Sequence, residues 1–197
     1  MIEHEPRRRS HGLTLLLAGG ILAGLLMAVA TVAGGSILSS LGFLTAGSGA
    51  GPTPRPAAIR MDKPAPDFSG LTPAGDTISL SDLRGKPVAI NFWATWCAPC
   101  LAEMPALEQA TARYSDEGLV VLAVNAGEGS DTVRRFMEEQ GLSFPALLDL
   151  DGQIVDLYGV EFFPTTFWVD VDGMVRAKHL GAMTPELIDD YMKLLIP

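Results

Sequence analysis

Cysteine is almost absent from this chain: Cys97 and Cys100 are the only two in 197 residues. A disulfide framework of the kind that staples small secreted folds needs more cysteines at wider spacing. A structural zinc site needs four ligands, and there is no second pair to complete one. Two cysteines three positions apart also close too small a loop to stabilise a fold by chain entropy. The pair is therefore better explained by chemistry than by stapling. Positive charge is scarce as well: 14 Lys and Arg stand against 23 Asp and Glu, for a net charge of −9. Arg7, Arg8 and Arg9 against Glu3 and Glu5 leave residues 1–51 at +1, so residues 52–197 carry −10. A surface that acidic repels phosphate backbones and speaks against a nucleic-acid partner. Charge of either sign is missing altogether from Gly12 to Pro54.

That uncharged stretch accounts for most of the chain's apolar excess. Leu13–Ala33 spans 21 residues, the length of helix that crosses a hydrocarbon core of about 30 Å. The preceding arginines would stay in the cytoplasm and place the rest of the chain outside. The competing reading is a cleaved signal peptide, with Ala28-Val29-Ala30 or Ser48-Gly49-Ala50 as the cleavage site. The apolar run continues well past Ala30, which favours an uncleaved anchor. With no cysteine in the segment, a lipid-modified one is excluded. The expected organisation is a basic stub and anchor over residues 1–47, a Gly- and Pro-rich linker over 48–60 and one domain over 61–197.

In the domain, strand and helix signals alternate. Asp67–Leu71 and Thr77–Leu80 flank Pro73-Ala74-Gly75-Asp76 and predict a hairpin. Val88–Trp93 and Leu119–Asn125 are continuous apolar runs, the mark of buried strands. A helix is expected from Cys97 to Tyr114, with the stripe Cys100, Met104, Leu107, Thr111 and Tyr114 facing the core and Pro105 kinking it. A second helix is expected over Asp131–Gln140, stopped by Gly141, and a last one over Pro185–Leu195. Short elements at Pro145–Asp149, Gln153–Tyr158, Thr165–Val169 and Met174–Lys178 complete an α/β order with a central mixed sheet flanked by helices.

Cys97-Ala98-Pro99-Cys100 follows a buried strand and opens a helix. That context marks a redox pair. Unpaired N–H groups and the helix dipole favour negative charge at the N-terminus, and the thiolate is the reactive form. Cys97 is thus the expected nucleophile, and Cys100, one turn further in, the cysteine that resolves the mixed disulfide.

The run from Asn91 to Pro105, Asn-Phe-Trp-Ala-Thr-Trp-Cys-Ala-Pro-Cys-Leu-Ala-Glu-Met-Pro, resembles the TlpA/ResA-type membrane-anchored thioredoxin-like family. So do Pro64–Phe68, Leu80–Pro87, Tyr158-Gly159-Val160, Phe163–Phe167 and Asp172-Gly173, so the likeness covers residues 61–197. The resemblance implies a thioredoxin-like fold with an N-terminal β-hairpin and an αβ insertion within Gly127–Val160. It implies that Pro164 is the cis-proline facing the cysteines, with Phe163 and Thr165 beside it in contact with substrate, and that Glu103 tunes the pair. Trp96 is expected to flank the sulfur on an open surface, Trp93 to lie in the core. Asn91 departs from ordinary thioredoxins, which carry an aspartate there, and shifts any proton-relay role to Glu103.

The activity this implies is reduction of protein disulfides outside the cytoplasmic membrane. Apocytochrome c or copper-site cysteines would be the substrates, and a membrane thiol relay the electron donor, with no cofactor and no resident metal. A disulfide-donating oxidase or isomerase uses the same motif. A copper chaperone would hold Cu(I) on the two thiolates and His179. A peroxidase fits poorly: such enzymes need a threonine three residues before the cysteine and a proline earlier, whereas Thr95 is two before Cys97 and Asn91 holds the proline position.

Overall fold

The computed structural model describes residues 60–196. The expected anchor and all but the last linker residue lie outside that range. Seven strands form one sheet in the order β2-β1-β5-β4-β3-β6-β7. They are β1 (Ser69–Leu71), β2 (Thr77–Ser79), β3 (Val88–Trp93), β4 (Val120–Ala126), β5 (Ala146–Asp149), β6 (Thr165–Val169) and β7 (Val175–Leu180). The helices are α1 (Ala98–Arg113), α2 (Ser130–Gln140), α3 (Gln153–Tyr158) and α4 (Pro185–Leu195). A 3-10 turn covers Leu80–Leu83. Strands β3, β4 and β5 run parallel, while β6 and β7 return antiparallel. The β1–β2 hairpin joins the far side of β5 through the single pair Leu71 and Leu148. The expected mixed sheet is what the chain forms, and β5 with the hairpin widens it beyond β4.

Successive side chains of a strand point to opposite faces, and here each face builds its own core. Ala89, Trp93, Val121, Ala123 and Trp168 point towards α1, α2 and α4, where they meet Met104, Leu107, Val133, Ile188 and Met192. Ile90, Phe92, Leu122, Val124 and Phe167 point the other way, to Tyr158 and Ile154 of α3 and to Phe68 and Leu80. Both faces are covered, which is why β3 and β4 read as unbroken apolar runs.

Helix α1 runs through Pro105 as one element to Arg113. Its buried face is Cys100, Glu103, Met104, Ala106, Leu107 and Ala110; of the expected stripe, Cys100, Met104 and Leu107 lie on that face and Tyr114 packs against the core partly buried. Thr111 is only half-buried and turns its hydroxyl back on the Leu107 carbonyl at 3.0 Å. The further buried positions, Glu103, Ala106 and Ala110, are an acid and two small residues that hydrophobic spacing does not pick out.

Two motifs at the far end of the sheet explain each other. The Arg84 Nη1 donates to the Asp172 carbonyl at 2.6 Å. Its guanidinium lies where a Cβ on Gly173 would stand, and Gly173 has φ +77°. The β6–β7 turn needs glycine for its left-handed backbone and for the space Arg84 occupies.

Candidate active site

The two catalytic-type cysteines sit where β3 hands over to α1. The Cys97 N–H donates to the Ala94 carbonyl at 3.2 Å, closing a tight turn with Thr95 and Trp96 at its corners. Cys97 then caps α1, its Sγ accepting the Cys100 N–H at 3.3 Å, with Pro99 in the first turn. Cys97 and Cys100 are joined in a disulfide, their Cα atoms 5.2 Å apart. Cys97 is 5% exposed and Cys100 fully buried, so a partner can reach only the first sulfur. An N-cap sulfur that accepts a helix N–H is stabilised as the anion, which is what a leaving or attacking thiolate needs.

Glu103 lies one turn beyond Cys100 on the buried face of α1 and is 0% exposed. The Asn91 Nδ2 of β3 donates to its Oε1 at 2.8 Å, and the Met183 N–H donates to its Oε2 at 3.0 Å. Asn91 Nδ2 also donates to Thr166 Oγ1 of β6 at 2.9 Å. Burial pushes the Glu103 carboxyl up to about 7 from an ordinary 4.5, against the pull of the Asn91 and Met183 donors, which favour the ion. A buried acid that titrates near neutrality can hold or release a proton next to Cys100. Asn91 fills the strand position of an acid with a group that orients Glu103 and cannot ionise.

The wall facing Cys97 comes from the loop before β6. The Phe163–Pro164 bond is cis. The Phe163 ring meets the Trp96 ring edge-on at 6.0 Å. Phe163 lies just beyond the last β3–β6 pair, Phe92 with Thr165. Trp96 is 69% exposed, the open position expected of it, and Trp93 is fully buried in the core. Thr165 differs from its expected place at the rim. Its side chain is buried, and its hydroxyl donates to the Phe162 carbonyl at 2.7 Å, so it holds the loop from behind. Trp96, Cys97, Ala98, Pro99, Glu161, Phe162 and Phe163 line an open hollow of about 470 Å³. A larger hollow, about 690 Å³, lies between β1, β5 and α3 and contains neither cysteine. His179, the third ligand of a copper-chaperone reading, pairs its Nδ1 with the Tyr191 hydroxyl at 3.1 Å and does not line the Cys97 hollow.

Glu128 escaped sequence reasoning. Its Oε2 accepts the Thr95 N–H at 2.7 Å and the Asn125 Nδ2 at 2.8 Å, and its Oε1 accepts the Thr95 hydroxyl at 2.5 Å. One carboxylate thus pins the turn that carries Trp96 and Cys97. Nothing in the spacing pairs residues 33 positions apart. The signal lay in topology: β3 and β4 run parallel with Trp93 beside Asn125, so the loops after both strands leave the sheet at the same end. In open α/β sheets, sites form there.

The AhpC/TSA family model matches residues 61–178. The chain is 41% identical over 140 residues to the thiol-disulfide oxidoreductase ResA of Bacillus subtilis (strain 168), an overlap of 71% of this chain and 78% of that protein. It is 40% identical over 140 residues to the ResA of Geobacillus thermodenitrificans (strain NG80-2), covering 71% and 80%. Among solved structures it resembles a thiol:disulfide interchange protein of the thioredoxin family from Chlorobium tepidum TLS, with a TM-score of 0.63, 29% identity, and coverage of 70% of this chain and 99% of that one. StoA from Bacillus subtilis aligns with a TM-score of 0.57 and 26% identity, over 66% and 98%. The chain belongs to the AhpC/TSA family and, within it, is a ResA-like thiol–disulfide oxidoreductase of thioredoxin-like fold.

Proposed function

We propose that this oxidoreductase works as a reductase of protein disulfides on the outer side of a bacterial cytoplasmic membrane, to which its N-terminal segment tethers it. The observation that carries the direction is Glu103: a buried acid one turn beyond Cys100, fastened on both oxygens. Once ionised, its carboxylate disfavours a thiolate on Cys100, which favours the disulfide and makes the dithiol a stronger electron donor. The Arg7-Arg8-Arg9 triplet before an uncharged run supports the tether and its orientation.

In the reaction, the Cys97 thiolate attacks one sulfur of the substrate disulfide. A Cys97–substrate disulfide forms and the other substrate sulfur leaves as a thiolate. Cys100 gives up its proton, with Glu103 as the acceptor, and attacks Cys97 Sγ. The substrate's second sulfur leaves, and the Cys97–Cys100 disulfide remains. Two electrons have passed to the substrate, whose thiolates take protons from water. A membrane dithiol donor fed from the cytoplasm resets the pair. The family resemblance implies apocytochrome c or copper-site cysteines as substrates.

The test is the state and side of Cys97 in living cells. A membrane-impermeant maleimide should label it from outside, and acid-quenched alkylation should find the pair mainly reduced. A pair found oxidised throughout would turn the assignment to disulfide donation, and labelling only after lysis would remove the outer location.

A further inference from the structure

The hollow at Cys97 is not chemically neutral. Trp96 and Phe162 are 69% and 66% exposed, two large aromatics that line the same hollow as the reactive sulfur. Phe163 backs them, edge-on to Trp96. Burying such rings on binding removes apolar surface from water and favours association, so a partner that covers the rim gains by it. Since the hollow contains the sulfur a substrate must reach, a cysteine-bearing polypeptide is what covers it. Among the residues lining the hollow, Glu161 alone is charged. It is exposed and takes part in no ion pair among the described residues. Residues 52–197 carry a net charge of −10, and a field of that sign draws in cations and repels anions.

We propose that Glu161 and Phe162 select the substrate: an extended segment whose cysteine is flanked by an apolar residue, seated between Trp96 and Phe162, and by a lysine or arginine, paired with Glu161. The inference rests on Cys97 as the attacking sulfur. Because Glu161 is a rim charge, its contribution is to the rate of encounter and falls with salt. The Thr165 hydroxyl on the Phe162 carbonyl fixes the loop that carries both selecting residues.

The experiment uses the full-length reduced chain and short peptides carrying one cysteine as a mixed disulfide. Next to the cysteine stand leucine and then lysine, glutamine or glutamate. Second-order rates are followed at low salt and at about 0.5 M. Neutral dithiodipyridine serves as a reference that ignores peptide charge. The lysine peptide should react roughly fivefold faster than the glutamate peptide at low salt, with the preference shrinking at high salt. With each rate taken relative to the same variant's dithiodipyridine rate, Glu161→Gln should remove the preference and Glu161→Lys reverse it. Phe162→Ala should slow all peptides alike. If the wild-type chain reduces dithiodipyridine but ranks the peptides equally, or if Glu161→Lys keeps the wild-type order, the selection proposal is overturned and the oxidoreductase assignment stands. If dithiodipyridine is not reduced either, Cys97 is not the attacking sulfur and both fall.

Discussion

The two faces of one sheet have been built to different rules. Towards α3 the strands offer a dry aromatic cluster. Phe92, Phe167 and Tyr158 lie with ring centres 5.1–6.0 Å apart, Phe68 meets Tyr158 edge-on, and the one polar atom of these four rings, the Tyr158 hydroxyl, donates to the Pro66 carbonyl at 2.7 Å, while buried Asp149 accepts the Ile154 and Val155 N–H groups at 3.1 and 2.8 Å. Towards α1 the same strands bury Asn91, Thr166 and, from the helix, Glu103. Asn91 Oδ1, Trp93 Nε1 and Trp168 Nε1 are buried there with no hydrogen-bond partner among the described residues. The aromatic face supplies stability, and the α1 face gives some of it up to hold a titrating acid beside the cysteines. Local inconsistency with folding rules marks the functional half.

Substitutions at three positions sharpen the contrast. Phe167→Ala opens a cavity in the aromatic face and should cost about 3–5 kcal/mol in denaturant unfolding, while the potential of the cysteine pair stays at the wild-type value. A shifted potential would mean the faces are not independent.

Glu103→Gln tests the other face. The folded carboxyl titrates near 7 and the unfolded one near 4.5, so the native state binds more protons between those values. The stabilisation is whole below about pH 4.5 and is lost as pH rises through 7, a fall of about 3 kcal/mol. Unfolding free energies measured from pH 4 to 8 should show that slope in the wild type and lose it in the variant. The rate at which Cys100 resolves a mixed disulfide should lose its pH dependence near 7 as well. An unchanged slope would place the titrating group elsewhere.

The smallest effect is expected at Glu128. Glu128→Ala frees the Thr95–Trp96 turn and should slow Cys97 exchange roughly tenfold, as misplaced reacting groups do, with little change in unfolding. Glu128→Gln should recover most of the rate, because an amide oxygen can accept where Oε2 does and the Thr95 hydroxyl can accept where Oε1 stood. Equal loss in both variants would assign the effect to charge, not to position.

The aromatic face was the more legible one. Its residues alternate along β3, β4 and β6 within apolar runs, so pattern alone placed the strands within a residue or two. The cysteine pair was legible too, because a strand end followed by Cys-x-x-Cys has few other meanings. Glu103 was visible as a residue three past Cys100 and through the family resemblance, since nothing in an acid's identity says it is buried. Glu128 was invisible: it acts across 33 residues, through a parallel strand pair that only the folded sheet brings together. The hairpin's attachment to β5 through one residue pair was likewise beyond any local signal.

The central claim, that the acid on the α1 face makes this pair a donor of electrons, is tested most directly by the midpoint potential of Cys97 and Cys100 in the full-length chain, equilibrated in thiol buffers. The account predicts a value at or below roughly −230 mV, in the range of thioredoxin and the glutaredoxins. A value near about −120 mV, that of a strong periplasmic oxidant, would contradict it.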